Sequence, residues 1–173
     1  MTSRTDKELR DDALVFYEED IEAIDSVLEN FLKKSAARCA LLVDQDGHMI
    51  THRGQTHGID LDTISALVAG SFAATKALAH QFGEEDFHAL FHQGRTGNIQ
   101  LSLVGGRALL TALFDDSTTI GMVRLYAGEA SKRLTMLFKR VGRGEGRETS
   151  HLGHDDSAFE SGASGALDSV FGE

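Results

Sequence analysis

Cysteine is almost absent from this chain. Cys39 is the single thiol in 173 residues, so no intrachain disulfide can form, which fits a reducing compartment. It sits inside an apolar run, AARCALLV, where a free cysteine behaves as a small buried hydrophobe rather than a nucleophile. Long apolar runs are missing as well. No window of about 18 residues is free of polar side chains, so no membrane span is expected. The first residues, MTSRTDKELRDD, lack the apolar segment of a signal peptide. Basic residues are in short supply, with 17 Lys and Arg against 27 Asp and Glu and a net charge of −10. Phosphate binding needs a basic stripe, so nucleic acid is not an expected partner. These absences describe an acidic, cytoplasmic protein, and a hydrophobic content of 41% is enough to build a core. The length is that of one domain with extensions.

Motifs for chemistry are missing too. There is no G-x-S-x-G elbow and no G-x-x-x-x-G-K-[ST] phosphate loop. No carboxylate pair stands alone in apolar sequence, where the two pKa values would split. Eight histidines raise the question of a metal. His88 and His92 are four apart, the helical ligand step, but FHALFHQG alternates as a strand does. Four residues along a strand span about 13 Å, too far for one ion, and His48 and His52 fail for the same reason. The D-x-D-G string at Asp44–Gly47 lacks the further oxygen ligands of a calcium loop and reads as a turn. Neither metal nor other cofactor is expected, and no catalytic residue.

What is present is a regular succession of elements. Ile21, Ile24, Leu28, Phe31 and Leu32 recur at helical steps, with Glu18, Glu19 and Asp20 at the start and Lys33 and Lys34 at the end, complementing the helix dipole. RCALLV and MITHR flank Asp46-Gly47, a hairpin signal. A second helix follows, capped by Asp60 or Asp62 and stopped at Gly83. Three strand-like segments, FHALFHQG, NIQLSLVG and RALLTALF, are joined by turns short enough to make them antiparallel neighbours. A last helix starts after Asp115–Thr118 and runs to about Arg140, with Ile120, Val123, Ala127, Ala130, Leu134, Leu137 and Phe138 facing inward. Gly121 and Gly128 within it suggest close packing. The expected architecture is α/β (α+β) in the order α-β-β-α-β-β-β-α, a five-stranded antiparallel sheet with helices on both faces. Residues 1–12 read as a flexible start and 13–140 as the domain. Residues 141–173, with seven glycines and a formal charge of −5, read as a disordered acidic tail. Leu167, Val170 and Phe171 near its end share one face if helical, the spacing of a short docking peptide.

The second helix is anomalous. TISALVAGSFAATKALAHQFG, residues 63–83, contains one charged residue, Lys76. On a helical wheel Leu67, Val68, Ser71, Thr75, Leu78 and Phe82 gather on a bulky side expected to face the core. The opposite side collects Ala66, Ala69, Gly70, Ala73, Ala77 and His80, with Lys76 and Gln81 at its margins. Alanine alone is explained by helix propensity, but Gly70 costs about 1 kcal/mol relative to alanine. A smooth stripe of small residues is expected to receive another protein, most simply a second copy of the same chain.

These segments resemble the roadblock/dynein-light-chain family. "CALLVDQDGHMI", "LVAGSFAATKALAHQFG" and "ALLTALFDDSTTIGMVRLYAGEASKRLTMLF" carry the likeness, over roughly residues 17–140. "FHQG" and the acidic tail narrow it to a bacterial branch that works with a small Ras-like GTPase. The resemblance implies a homodimer with second helices side by side and sheets continuing across subunits. It further implies that one GTPase binds over the helix pair. Hydrolysis is then stimulated by stabilising the GTPase's own catalytic residues rather than by inserting one, in cell polarity or motility and concentrated at a pole. On this sequence the contact residues would be Ala66, Ala69, Gly70, Ala73, Lys76, Ala77 and His80, and the tail motif Leu167, Val170 and Phe171. A non-activating roadblock scaffold for a GTPase or larger assembly, and an activator using Arg95 or Arg107 as a finger, are the competing expectations.

Overall fold

The computed structural model describes residues 15–143; the tail motif at Leu167, Val170 and Phe171 lies outside the described residues. The order is α1 (Glu18–Ser35), β1 (Cys39–Asp44), β2 (Met49–Gly54), α2 (Leu61–Gln81), β3 (Ala89–Gln93), β4 (Asn98–Val104), β5 (Ala108–Phe114) and α3 (Ile120–Arg143). The strands form one antiparallel sheet in the order β2-β1-β5-β4-β3. The expected α-β-β-α-β-β-β-α succession is therefore the observed one.

Strand alternation divides the core between two faces of the sheet. Ala40, Leu42, Val104, Leu110, Ala112 and Phe114 meet Ile24, Leu28 and Phe31 of α1 and Val123, Ala127, Ala130, Leu134 and Phe138 of α3. Leu101 and Leu109 meet Val68, Ala69 and Phe72 of α2, beside a cluster of Cys39, Leu41 and Val43. The two faces are filled unequally. Two helices cover the first, where Val104, Ala108, Leu110, Ala112 and Phe114 are all buried. One helix covers the second, and there Leu90, Ile99, Leu103 and Leu113 stay half-buried.

Polar ties fix the edge strand β2 to α1. The buried Asp25 carboxylate accepts from Thr51 Oγ1 at 2.6 Å and from the Arg53 guanidinium, and Arg53 Nε lies 3.4 Å from Glu29. The inward residues expected of α3 do face the core, with Ile120 and Leu137 only partly buried. The close packing expected of Gly121 and Gly128 is not found among the described residues, however. A side chain at Gly128 would meet nothing within 4 Å, and at Gly121 only the Thr119 hydroxyl at 3.8 Å. Both are exposed, so no close packing among the described residues requires them.

Candidate functional site: the outer face of the second helix

The second helix begins where expected. Asp60 caps it, accepting from the Thr63 backbone N–H at 3.2 Å and from Thr63 Oγ1 at 2.6 Å. Those bonds hold its carboxyl below the usual carboxylate range. Gly83 follows the end at φ +80, the left-handed conformation glycine adopts without strain. Within the helix, the hydroxyls of Ser65, Ser71 and Thr75 donate to the carbonyls of Leu61, Val68 and Ser71. They are thereby satisfied without a partner from elsewhere.

The orientation of α2 about its own axis differs from the wheel. Ser65, Val68, Ala69 and Phe72 are its buried residues, whereas Leu67, Leu78 and Phe82 are 65%, 57% and 81% exposed. The core side is rotated by roughly a quarter turn from the side that bulk alone selects. The reason lies in the β1–β2 hairpin. Gly47, at φ +93, comes so close to α2 that a Cβ there would stand 3.0 Å from Ala66 Cα and 3.6 Å from Ala69 Cβ. The hairpin meets the helix backbone at Ala66 and the small side chain of Ala69, and Phe72 packs against Phe87 with ring centroids 5.1 Å apart. Ala69 consequently leaves the predicted contact set, because it faces the sheet and is 6% exposed.

The other predicted contact residues, Ala66, Gly70, Ala73, Lys76, Ala77 and His80, are all exposed. The solvent side of the helix is now Ala66, Leu67, Gly70, Ala73, Ala74, Ala77, Leu78 and Gln81, all exposed and none of them charged. Sequence reasoning missed Leu67, Leu78 and Phe82 as surface residues; the hairpin glycine opposite two alanines was the available signal. Gly70 has open space where a side chain would be. Along one flank, Phe72, Ala73, Lys76, His80 and Glu84 border an open groove of about 340 Å³ beside Leu109 and Gln45. Its floor is apolar and its rim carries both signs of charge.

Other candidates resolve simply. His92 lies in β3, His88 just before it and His52 in β2, as the alternation indicated. Asp44, Asp46 and His48 do come together, with potential ligand atoms within 4.8 Å of one another. Asp44 is already engaged there: Oδ1 accepts the backbone N–H of Asp46 and of His48, and Oδ2 lies 3.1 Å from His48 Nδ1. The cluster braces the hairpin. Cys39 is fully buried, and burial pushes its thiol up to about 11 against a smaller opposing pull from Arg38, which leaves it unreactive at neutral pH. No helix among the described residues is long and apolar enough to cross a membrane.

One helix on one face of a five-stranded antiparallel sheet, two on the other, and an uncharged outer helix face define a protein of the roadblock type. The chain belongs to the Roadblock/LC7 domain family, whose model matches residues 23–114. MglB of Myxococcus xanthus is 38% identical, with 74% of this chain and 96% of that one covered and a TM-score of 0.69. The gliding protein MglB of Thermus thermophilus is 36% identical over 74% and 97% of the two chains, with a TM-score of 0.69. An MglB in a tetrameric arrangement is 34% identical over 75% and 97%, with a TM-score of 0.71. Among curated proteins none matches the chain.

Proposed function

We propose that this chain is a homodimeric regulator of a small Ras-like GTPase, acting in cell polarity or motility, which stimulates GTP hydrolysis by binding and contributes no catalytic residue. The observation that carries the reading is the uncharged, exposed face of α2, with Ala66, Gly70, Ala73 and Ala77 beside Leu67 and Leu78. Membership of the roadblock family and the likeness to MglB proteins support it. Two surfaces have to be covered. The half-buried Leu90, Ile99, Leu103 and Leu113 invite a second α2 beside the first. The outer side of the resulting helix pair, with Ala73, Ala77, Lys76 and His80, receives the GTPase. Binding to one conformation of the GTPase raises that conformation's population, and hydrolysis accelerates when it is the one with its own catalytic groups in place.

The test is single-turnover GTP hydrolysis by the cognate small GTPase, with and without this protein. Ala73→Arg and Ala77→Arg are expected to keep the melting temperature and abolish stimulation; a folded variant that stimulates normally would remove the α2 face from the reading. Binding without acceleration would assign the scaffold role instead. Arg107→Ala and Arg95→Lys are expected to retain stimulation within a few-fold, whereas a loss of about 10³-fold in either would identify an arginine finger.

A further inference from the structure

α1 and α3 lie on the face of the sheet opposite α2. Val123, Ala127, Ala130, Leu134 and Phe138 turn α3 toward the core. Its solvent side then carries Met122, Leu125, Glu129, Lys132, Met136 and Lys139, all exposed. These six recur at alternating steps of three and four and share a sector of about 100° on the helix. That spacing is the seam of a coiled coil, along which one helix meets a second. Single exposed apolar residues are ordinary; what selects a partner here is the order of the six.

Laid antiparallel against a second copy, with a two-fold axis at the level of Ala130 and Ser131, the seam matches itself. Leu125 falls opposite Met136 and Glu129 opposite Lys132, each twice by symmetry. Met122 lies along the aliphatic stem of Lys139. A parallel pair in register sets Glu129 against Glu129 and Lys132 against Lys132, which repel. Sliding the antiparallel pair by one heptad separates Leu125 from Met136. In one direction Lys132 then faces Met136, and in the other Leu125 faces Glu129. The unshifted antiparallel pair alone joins apolar to apolar and acid to base. Glu129 already meets Lys34 Nζ at 3.0 Å but stays half-exposed, so its carboxylate can accept from a second lysine.

The same pairing accounts for glycines that the single chain leaves unexplained. Gly121, Gly128 and Gly142 are exposed, and a Cβ at Gly128 or Gly142 would meet nothing within 4 Å. Inside the helix Gly128 costs about 1 kcal/mol relative to alanine. Spaced by multiples of seven, the three form one slowly drifting column along the edge of the seam. A missing side chain there lets a second helix come close.

We propose that α3 is a second self-association surface of this chain, on which two copies pair antiparallel, with Leu125 against Met136 and Glu129 against Lys132. The surface is separate from α2, so chains already paired through α2 are joined by α3 into larger assemblies. This goes beyond the regulator reading and does not depend on it.

Sedimentation at rising concentration tests it. The wild type is expected to pass from the α2 dimer to larger species at concentrations well above those at which the dimer forms. Leu125→Glu/Met136→Glu is expected to stop at the dimer while keeping GTPase stimulation and the melting temperature of the dilute protein. Glu129→Lys and Lys132→Glu are each expected to weaken the second step by about fivefold or more at low salt. The double variant Glu129→Lys/Lys132→Glu is expected to restore it, because the two-fold axis sets the exchanged charges opposite one another again. Gly128→Leu, with open space in the single chain, is expected to block the pairing without loss of stability. With a short bis-maleimide, Leu125→Cys and Met136→Cys chains are expected to link to one another and neither to itself; Cys39 is buried and stays silent. A wild type no larger than a dimer at about 1 mM overturns the α3 pairing and leaves the α2 reading standing. Larger species that persist in Leu125→Glu/Met136→Glu overturn it too. A charge exchange that fails to restore association, or links in another pattern, overturns the antiparallel arrangement. Association lost in Leu125→Glu/Met136→Glu but untouched by Leu78→Glu upholds α3 and overturns the α2 homodimer instead.

Discussion

Gly54 ends β2 at φ +97, and a Cβ there would run into the Arg38 carbonyl oxygen with Cys39 Cα only 2.9 Å away. Both obstacles are backbone and cannot rotate aside. Gly54→Ala is therefore expected to destabilise the domain by about 2–4 kcal/mol in urea unfolding, through strain at a left-handed position combined with overpacking. Asp60 operates on pH instead. Its bonds to Thr63 lower its folded pKa below the ordinary 3.8. The sign follows: a depressed folded pKa contributes stability that is fully present above the unfolded value and lost as pH falls through the folded one. Asp60→Asn is accordingly expected to reduce the dependence of the melting temperature on pH below about 4 while leaving its dependence between about pH 6 and 8 unchanged, which a calorimetric pH series checks. Of the two, only Asp60 was legible beforehand, as one of two candidate caps with Asp62. The cap was read from its position before an apolar-periodic run, whereas the crowding at Gly54 depends on backbone from the start of the preceding strand.

At the scale of one element, α2 separates two kinds of small residue that look alike in the sequence. Ala69 is small because it is buried between the sheet and the Gly47 hairpin, while Ala66, Gly70, Ala73, Ala74 and Ala77 are small with solvent outside. Substitutions should divide the same way. Ala69→Arg is expected to unfold or aggregate the domain, since it buries a charge against Leu101 and Leu109. Gly70→Ala is expected to raise the stability of the monomeric fold by about 0.5–1 kcal/mol, because a helical glycine with space around it has only its entropy to lose. Denaturant curves at concentrations where the chain is monomeric check both. The wheel erred here because it weighted bulk, and bulk reports what a face will eventually touch, whether its own sheet or another molecule. Leu67, Leu78 and Phe82 satisfy the pattern of a core and yet lie outside it.

For the whole molecule, the unequal filling of the two sheet faces is the controlling fact. Exposed leucines and a phenylalanine on α2 and half-buried strand residues beside it lie on the one-helix face, while on the other face α3 leaves Leu125 and Met136 exposed. In the proposed dimer, burial of the one-helix face between copies would link stability to assembly, as for any complex that binds only the folded state. The melting temperature is expected to rise with protein concentration across the micromolar range, and Leu78→Glu should remove that rise. A melting temperature independent of concentration in the wild type would show that the face stays open.

Element order, strand pairing by short turns, the inward faces of α1 and α3 and the family were all determined by the sequence itself. Each depends on local periodicity, caps and turn residues, which act over a few positions. Which way α2 faces and why Ala69 is small were decided only by tertiary structure. Those properties are set by contacts between segments distant in the chain: hairpin on helix, one helix on a face wide enough for two. From the sequence, α2 is the expected surface for a partner. The fold then changed which of its residues are exposed, because a helix is oriented by what packs beneath it and not by the size of its own side chains.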